Sequence, residues 1–263
     1  MRIELVEQTL VCEQGGRPAL WLIHGFGESG LSLRPLFATP LAKAFGLFAP
    51  DLPGFGASPP LSGMTSIDRL ADVVVDLITR RTPEGLIGLV GHSLGSPVAV
   101  RVAQRLKARV GGLLSIEGNL TEADAYFSGR ATLFDEPGAF KVALEQHVWG
   151  LAQENPTFRH YFASLVLADA RPLWQVGLDV ARASRGHALG EEYRQLSCPS
   201  LYCWSPTSTP EATQRYLRKH RIAEQRYEGA GHWPTVEAPL AIAAVIADFF
   251  RGRLSSSGPA SSR

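Results

Sequence analysis

The sequence predicts an α/β protein with a mostly parallel β-sheet and helices on both faces. Short apolar runs bounded by turn residues alternate with stretches that carry apolar residues at helical spacing. Strands that are apolar on both faces are typical of a parallel sheet covered by helices on both sides. The length of 263 residues is sufficient for one large domain with an insertion, or for two small domains.

Each predicted strand ends at a glycine, a proline or a polar residue. The predicted strands are residues 19–23, 47–49, 86–90, 110–116 and 201–204. Between them, residues 66–80, 94–107 and 209–219 have the 3,4 apolar spacing of amphipathic helices. Ser66 is a suitable N-cap for the first of these helices.

One long segment departs from this alternation. Residues 121–195 show only helical periodicity, punctuated by Pro156 and Pro172, and so predict an all-helical insertion. We therefore expect a core of residues 1–119 and 196–254 with the insertion at 120–195. The Ser-rich residues 255–263 are expected to form a disordered tail.

The charge balance argues against several classes of function. The 26 basic and 25 acidic residues leave a net charge of +1, so no overall attraction to nucleic acid or anionic membrane is expected. No apolar stretch is long enough to span a membrane, and two acids near the N-terminus argue against a signal peptide. A cytoplasmic protein is expected, with Cys12, Cys198 and Cys203 as buried, reduced thiols.

Residues 91–95, Gly-His-Ser-Leu-Gly, match the pattern G-x-S-x-G directly after a predicted buried strand and before a predicted helix. A sharp strand-to-helix turn lifts the serine hydroxyl clear of the backbone, and its flanking glycines avoid collisions with neighbouring chain. The helix N-terminus adds free N–H groups and a partial positive charge. This context predicts that Ser93 is a nucleophile.

Three further motifs occur in order with this one. They are His-Gly-Phe-Gly at 24–27, Asp-Leu-Pro-Gly-Phe-Gly-Ala-Ser at 51–58 and Gly-Ala-Gly-His-Trp-Pro at 229–234. With these motifs the chain resembles the α/β-hydrolase superfamily over about residues 19–250. The resemblance implies the α/β-hydrolase fold and a helical cap over the active site, inserted after the sixth strand.

A serine nucleophile needs a base and donors for the oxyanion. His232 is the candidate base because histidine exchanges protons near neutral pH and this one lies in a late, glycine-flanked loop. The backbone N–H groups of Leu94 and Phe26 are the candidate oxyanion donors. The resemblance implies that His24 and His92 are structural neighbours of the site.

The acid of the triad departs from the common pattern of the superfamily. Relatives usually carry an Asp after the strand that corresponds to residues 201–204, where this chain has Ser208. A subset of the superfamily places the acid one strand earlier, and Glu117 occupies that place. We expect Glu117 to orient His232, with Glu211, Asp124 or no acid as the alternatives. Asp51 is expected to organise its turn.

These residues predict a serine hydrolase acting on a carboxylic ester or thioester of a small, mostly apolar substrate. The same triad is compatible with C–C bond hydrolysis, lactone opening or acyl transfer. A second hypothesis is a small-molecule binding protein with little turnover, which the missing acid at its usual place favours. No metal or organic cofactor is expected, because the corresponding ligand and phosphate-binding motifs do not occur in the sequence.

Overall fold

The computed structural model describes residues 2–6, 9–14 and 18–254. The tail predicted at 255–263 and the side chain of Cys12 lie outside the described residues. Cys203 is a buried free thiol. The expectation of burial is wrong for Cys198, a free thiol that is only half-buried because it lies in the surface connection that precedes a strand.

The described residues form one eight-stranded sheet in the order β1-β2-β4-β3-β5-β6-β7-β8. The strands are β1 (Arg2–Val6), β2 (Thr9–Gln14), β3 (Ala19–Ile23), β4 (Gly46–Pro50), β5 (Ile87–His92), β6 (Val110–Ile116), β7 (Ser200–Trp204) and β8 (Glu224–Arg226). The first two strands pair antiparallel, and β2 pairs antiparallel with β4, whereas the other neighbours are parallel. The predicted mostly parallel sheet is confirmed.

Helices cover both faces of the sheet. Their bounds are α1 (Leu41–Ala44), α2 (Ile67–Arg81), α3 (Gly95–Leu106), α4 (Pro137–Glu154), α5 (Pro156–Leu165), α6 (Ala170–Ala183), α7 (Ala188–Arg194), α8 (Glu211–His220), α9 (Pro234–Glu237) and α10 (Pro239–Phe250). Side chains of α2, α3 and α8 pack on one face with Trp21 and Ile23 of β3. Side chains of α1 and α10 pack on the other face with Leu20 and Leu22 of the same strand. Alternate residues of β3 therefore belong to two separate cores.

The connection from β6 to β7 is helical throughout the described chain. It contains α4 to α7 and short 3₁₀ turns at Glu122–Ala125, Ser128–Leu133 and Arg185–His187. Asp179 of α6 accepts a hydrogen bond of 2.9 Å from the first N–H of α2, at Ile67. The helical segment is thus tied to the helices that cover the sheet.

The parallel register determines where the active-site motifs meet. Gly91 of β5 pairs with Ile23 of β3 on one side and with Ser115 of β6 on the other. The carboxyl ends of β3, β5, β6 and β7 therefore lie along the same edge of the sheet, where ligands bind in open α/β folds. None of the described helices combines the length and the apolar composition needed to cross a membrane.

Arg101 of α3 connects three helices, and its substitution tests how firmly the helical segment is held. Its guanidinium forms an ion pair with Asp68 of α2. Two of its nitrogens also donate hydrogen bonds of 3.1 and 3.2 Å to the carboxylate of Glu192 in α7. Because this side chain is only 14% exposed, we expect Arg101→Ala to lower the free energy of unfolding by about 1–2 kcal/mol.

Urea unfolding measures this loss, and Arg215→Ala is the matched control. Arg215 pairs with Glu211 in an exposed i,i+4 arrangement on α8. Its removal should change stability by less than about 0.5 kcal/mol. Equal losses in the two variants would contradict a special role of the Arg101 contacts.

Candidate active site

Ser93 lies in the tight turn between β5 and α3. Its φ of +50° is in the left-handed region, and its N–H donates to the Ile116 carbonyl at 2.9 Å. A side chain at Gly91 would place its Cβ 2.5 Å from the carbonyl oxygen of Gly95. A side chain at Gly95 would collide with the backbone of Ile23. The two glycines are therefore required because the turn packs directly against backbone.

The N–H groups predicted to bind an oxyanion flank this turn. Leu94 directly precedes α3, and Phe26 lies in the loop that follows β3. Within the described part of the chain, neither N–H has a hydrogen-bond acceptor. Both donors are thus free for a substrate oxygen.

Glu117 follows β6 in a left-handed conformation, with φ of +49°. Its buried carboxylate accepts hydrogen bonds from the Ser205 N–H at 2.6 Å, the Thr209 hydroxyl at 2.9 Å and the Tyr227 hydroxyl at 2.9 Å. Burial alone would raise the pKa of Glu117. The interaction with His232 and the hydrogen bonds from these donors have the larger effect, so the pKa is lowered. Glu117 is therefore an ionised, rigidly held carboxylate.

His232 precedes α9, and the carboxylate of Glu237 fixes its loop. Glu237 accepts from the N–H of Gly231 at 2.5 Å and from the N–H of Trp233 at 3.3 Å. The Nδ1 atom of His232 is 3.6 Å from Oε2 of Glu117. The same nitrogen is 2.9 Å from the hydroxyl of Tyr126, which comes from the helical segment. Glu117 and Tyr126 thus share the Nδ1 side of this imidazole.

The other acids that the sequence offered lie in different settings. Glu211 is exposed and pairs with Arg215. Asp51 organises its turn by accepting from the N–H groups of Gly30 and Ala57, at 2.6 and 2.8 Å. Asp124 caps the turn that starts at Thr121, and burial raises its pKa to about 6 against the effect of its hydrogen-bond donors. Of these acids, Asp124 lines the same cleft as Ser93.

A buried acid that sequence reasoning missed, Glu28, joins the loops around the site. Its carboxylate accepts from the indole N–H of Trp233 at 2.9 Å and from the N–H of Gly25 at 3.3 Å, and lies 3.1 Å from Nδ1 of His92. Nε2 of His92 lies 2.7 Å from the carbonyl oxygen of His232. Since both nitrogens of His92 face acceptors, the geometry favours a protonated imidazolium paired with Glu28.

The pKa values of this pair agree with the geometry. Burial opposes both charges, but the attraction to His92 lowers the pKa of Glu28 to about 2, and the attraction to Glu28 raises the pKa of His92. His24 differs, because burial lowers its pKa and its Nε2 accepts from the Leu52 N–H at 2.9 Å. Consistent with the expectation, His24 and His92 organise the surroundings of Ser93.

Ser93 and His232 line one narrow cleft. The remaining lining residues are Phe26, Glu28, Asn119, Asp124, Tyr126, Phe127, Ser128, Tyr161 and Trp233. The cavity that they enclose has a volume of only about 10 Å³. Of the lining residues, Tyr126, Phe127 and Tyr161 belong to the helical connection between β6 and β7.

The match to family models and curated proteins agrees with this architecture. A model described as the alpha/beta hydrolase family matches residues 22–245. An uncharacterized hydrolase of Saccharomyces cerevisiae is 34% identical over 144 residues, which cover 54% of this chain and 45% of that protein. A pimeloyl-[acyl-carrier protein] methyl ester esterase of Sodalis glossinidius is 27% identical over 251 residues, which cover 88% and 92%. The chain thus spans less than half of the yeast relative.

Solved structures show the same fold. An esterase from Thermogutta terrifontis has a TM-score of 0.73 at 20% identity, covering 94% of this chain and 95% of that one. The N-acyl homoserine lactonase AidH has a TM-score of 0.76 at 18% identity, covering 95% of both chains. These likenesses confirm the predicted α/β-hydrolase fold.

The Glu28–His92 pair gives a pH-dependent stability prediction. The contribution of Glu28 is present above its ordinary pKa of 4.5 and is lost as the pH falls toward about 2. The contribution of His92 is complete below its ordinary pKa of 6.5 and is lost as the pH rises through its raised value. We expect Glu28→Gln to cost about 3 kcal/mol of unfolding free energy between these limits, with a smaller cost once the pH exceeds the raised pKa of His92.

Urea unfolding of wild type and Glu28→Gln at pH 5.5 and pH 9 measures the difference, with the exposed Glu211→Gln as control. The control should be nearly neutral at both pH values. A cost of Glu28→Gln at pH 5.5 that is no larger than the cost of the control would contradict a stabilising ion pair between Glu28 and His92.

Proposed function

Because the chain belongs to the alpha/beta hydrolase family, we propose that it is a serine hydrolase that cleaves a carboxylic ester or thioester of a small, mostly apolar substrate. One observation carries this proposal. Ser93 sits in a left-handed turn beside free N–H groups, and it shares a cleft with His232, whose Nδ1 lies 3.6 Å from the Glu117 carboxylate. This arrangement supports acyl transfer through a covalent intermediate.

In the proposed mechanism, the Ser93 hydroxyl attacks the substrate carbonyl while Nε2 of His232 accepts its proton. The negative charge on the carbonyl oxygen is stabilised by the N–H groups of Phe26 and Leu94. Glu117 holds the imidazole through Nδ1 and stabilises the imidazolium. His232 gives the proton to the leaving group and then activates the water that releases the acid.

We further propose that residues 120–195 form a cap whose side chains admit the substrate. The cleft is narrow, so a substrate must displace some of the aromatic rings that the helical segment contributes. When Tyr126 moves away, Nδ1–H of His232 has Glu117 as its remaining acceptor. Substrate entry would thereby complete the proton-transfer geometry.

The setting of Glu117 weakens the case for a binding protein with little turnover. That hypothesis depended on the absence of an acid after β7. The Nδ1 side of His232 faces Glu117 instead, and the pKa of that carboxyl is lowered. The related pimeloyl ester esterase favours a carboxylic ester over a C–C bond as the bond cleaved.

A fluorophosphonate probe and p-nitrophenyl esters test the proposal. Wild type should form an adduct at Ser93, and Ser93→Ala should form none and hydrolyse no ester. Glu117→Gln should lower kcat by about 10²- to 10⁴-fold, because the neutral amide no longer stabilises the imidazolium. The matched control Glu211→Gln removes an exposed acid and should retain wild-type kcat.

The outcomes separate the two parts of the proposal. If well-folded wild type forms no adduct, the hydrolase mechanism is excluded in favour of a binding protein. If Glu117→Gln keeps nearly full turnover while Ser93→Ala has none, Glu117 is not the triad acid. A series of acyl chain lengths then defines the apolar part of the substrate.

A further inference from the structure

Tyr161 of α5 presents a buried hydroxyl to the cleft without a hydrogen-bond partner. The side chain is 2% exposed, and its Oη has no partner within the described part of the chain. Burial raises the pKa of Tyr161 well above its usual range, so the hydroxyl keeps its proton. A buried donor without an acceptor is unfavourable in a folded protein, and in a cleft a bound ligand or water can supply the acceptor.

The position of this hydroxyl is fixed by aromatic packing. The Tyr161 ring lies between Trp233, with centroids 5.1 Å apart, and Phe127, with centroids 5.5 Å apart. Its hydroxyl lies beside Gly27, since a Cβ on that glycine would be 3.0 Å from Oη. Gly27 follows Phe26, whose N–H is a proposed oxyanion donor. The Tyr161 hydroxyl is therefore close to where the reacting carbonyl of the substrate would bind.

Two more buried polar side chains line the same cleft. Asn119 and Ser128 are each 4% exposed. These two side chains add further polar groups to the cleft around Ser93. Polar side chains near the nucleophile suit an acyl group that carries a polar atom better than a purely apolar one.

We propose that the Tyr161 hydroxyl donates a hydrogen bond to the substrate, and that the enzyme selects acyl groups with an ether, hydroxyl or keto oxygen close to the reacting carbonyl. This inference rests on the proposed function and defines the substrate class more narrowly. We assign the hydrogen bond to the acyl part of the substrate because this part remains bound to Ser93 after the alcohol has left. A donor beside the oxyanion loop would therefore contact it in both half-reactions.

Two nearly isosteric esters test this selectivity. p-Nitrophenyl methoxyacetate differs from p-nitrophenyl butyrate by an ether oxygen in place of one methylene group. Tyr161→Phe removes the hydroxyl and keeps the ring, so kcat/KM for the methoxyacetate should fall about tenfold, the effect of one hydrogen bond. For the butyrate it should change less than about twofold. Tyr193→Phe, a buried tyrosine on α7 outside the cleft, should change neither value.

A second measurement needs no variant of Tyr161. Dividing each wild-type kcat/KM by the rate of alkaline hydrolysis of the same ester corrects for the greater electrophilicity of the methoxyacetate. The corrected values should favour the methoxyacetate by about tenfold.

The results that would overturn the inference are distinct from failure of the hydrolase proposal. Equal losses for both esters in Tyr161→Phe would make Tyr161 a general oxyanion donor rather than a selective one. No loss for either ester, or no preference in the corrected wild-type values, would exclude its contact with the acyl oxygen. Turnover of neither ester together with no fluorophosphonate adduct at Ser93 would overturn the proposed function and this inference with it.

Discussion

The geometry of the site depends on one buried carboxylate, that of Glu28. It accepts hydrogen bonds from the loop after β3, through Gly25, and from the loop of the late histidine, through Trp233. It also pairs with His92 in the turn of the nucleophile, and His92 in turn contacts the carbonyl oxygen of His232. The two charged side chains are 0% and 3% exposed, so water cannot replace either partner. These loops cannot separate without leaving a buried charge unpaired, which costs several kcal/mol.

The sheet provides the second constraint, and it fixes the position of Glu117, the proposed acid. The N–H of Ser93 donates to the carbonyl of Ile116 at the end of β6, and the N–H of Glu117 donates to the carbonyl of Cys203 in β7. These hydrogen bonds fix the position of both turns relative to the sheet. The segment after β7 has hydroxyls where relatives usually have an acid. The Ser205 N–H and the Thr209 hydroxyl donate hydrogen bonds to the Glu117 carboxylate. The segment that lacks the usual acid after β7 thus supplies hydrogen-bond donors to the Glu117 carboxylate, which follows the preceding strand, β6.

Periodicity and turn residues were enough to predict the parallel strands, the helices that cover them and the helical connection after β6. These features depend on local patterns and on burial from both faces. Glu28 was missed because its role depends on His92 and Trp233, which are 64 and 205 residues away in sequence. Tyr161 has the helical spacing of apolar and aromatic residues in the insertion, a spacing that is typical of packing. Tyr161 does pack against aromatic rings, but it also lines the cleft and has an unpartnered hydroxyl, which helical spacing cannot indicate.

In the proposed mechanism, substrate entry affects Tyr126 and Tyr161 of the helical segment in opposite ways. Tyr126 contacts the imidazole proposed to accept the serine proton, so in that mechanism this contact loosens before Glu117 alone orients His232. Tyr161 is packed between Trp233 and Phe127 and has no partner to lose, so it can stay in place while a substrate enters. Since 39% of Tyr126 and only 2% of Tyr161 is exposed, the movable residue is the outer one. In the proposed mechanism the cleft therefore combines an outer ring that yields to the substrate with an inner hydroxyl that is in place to bind it.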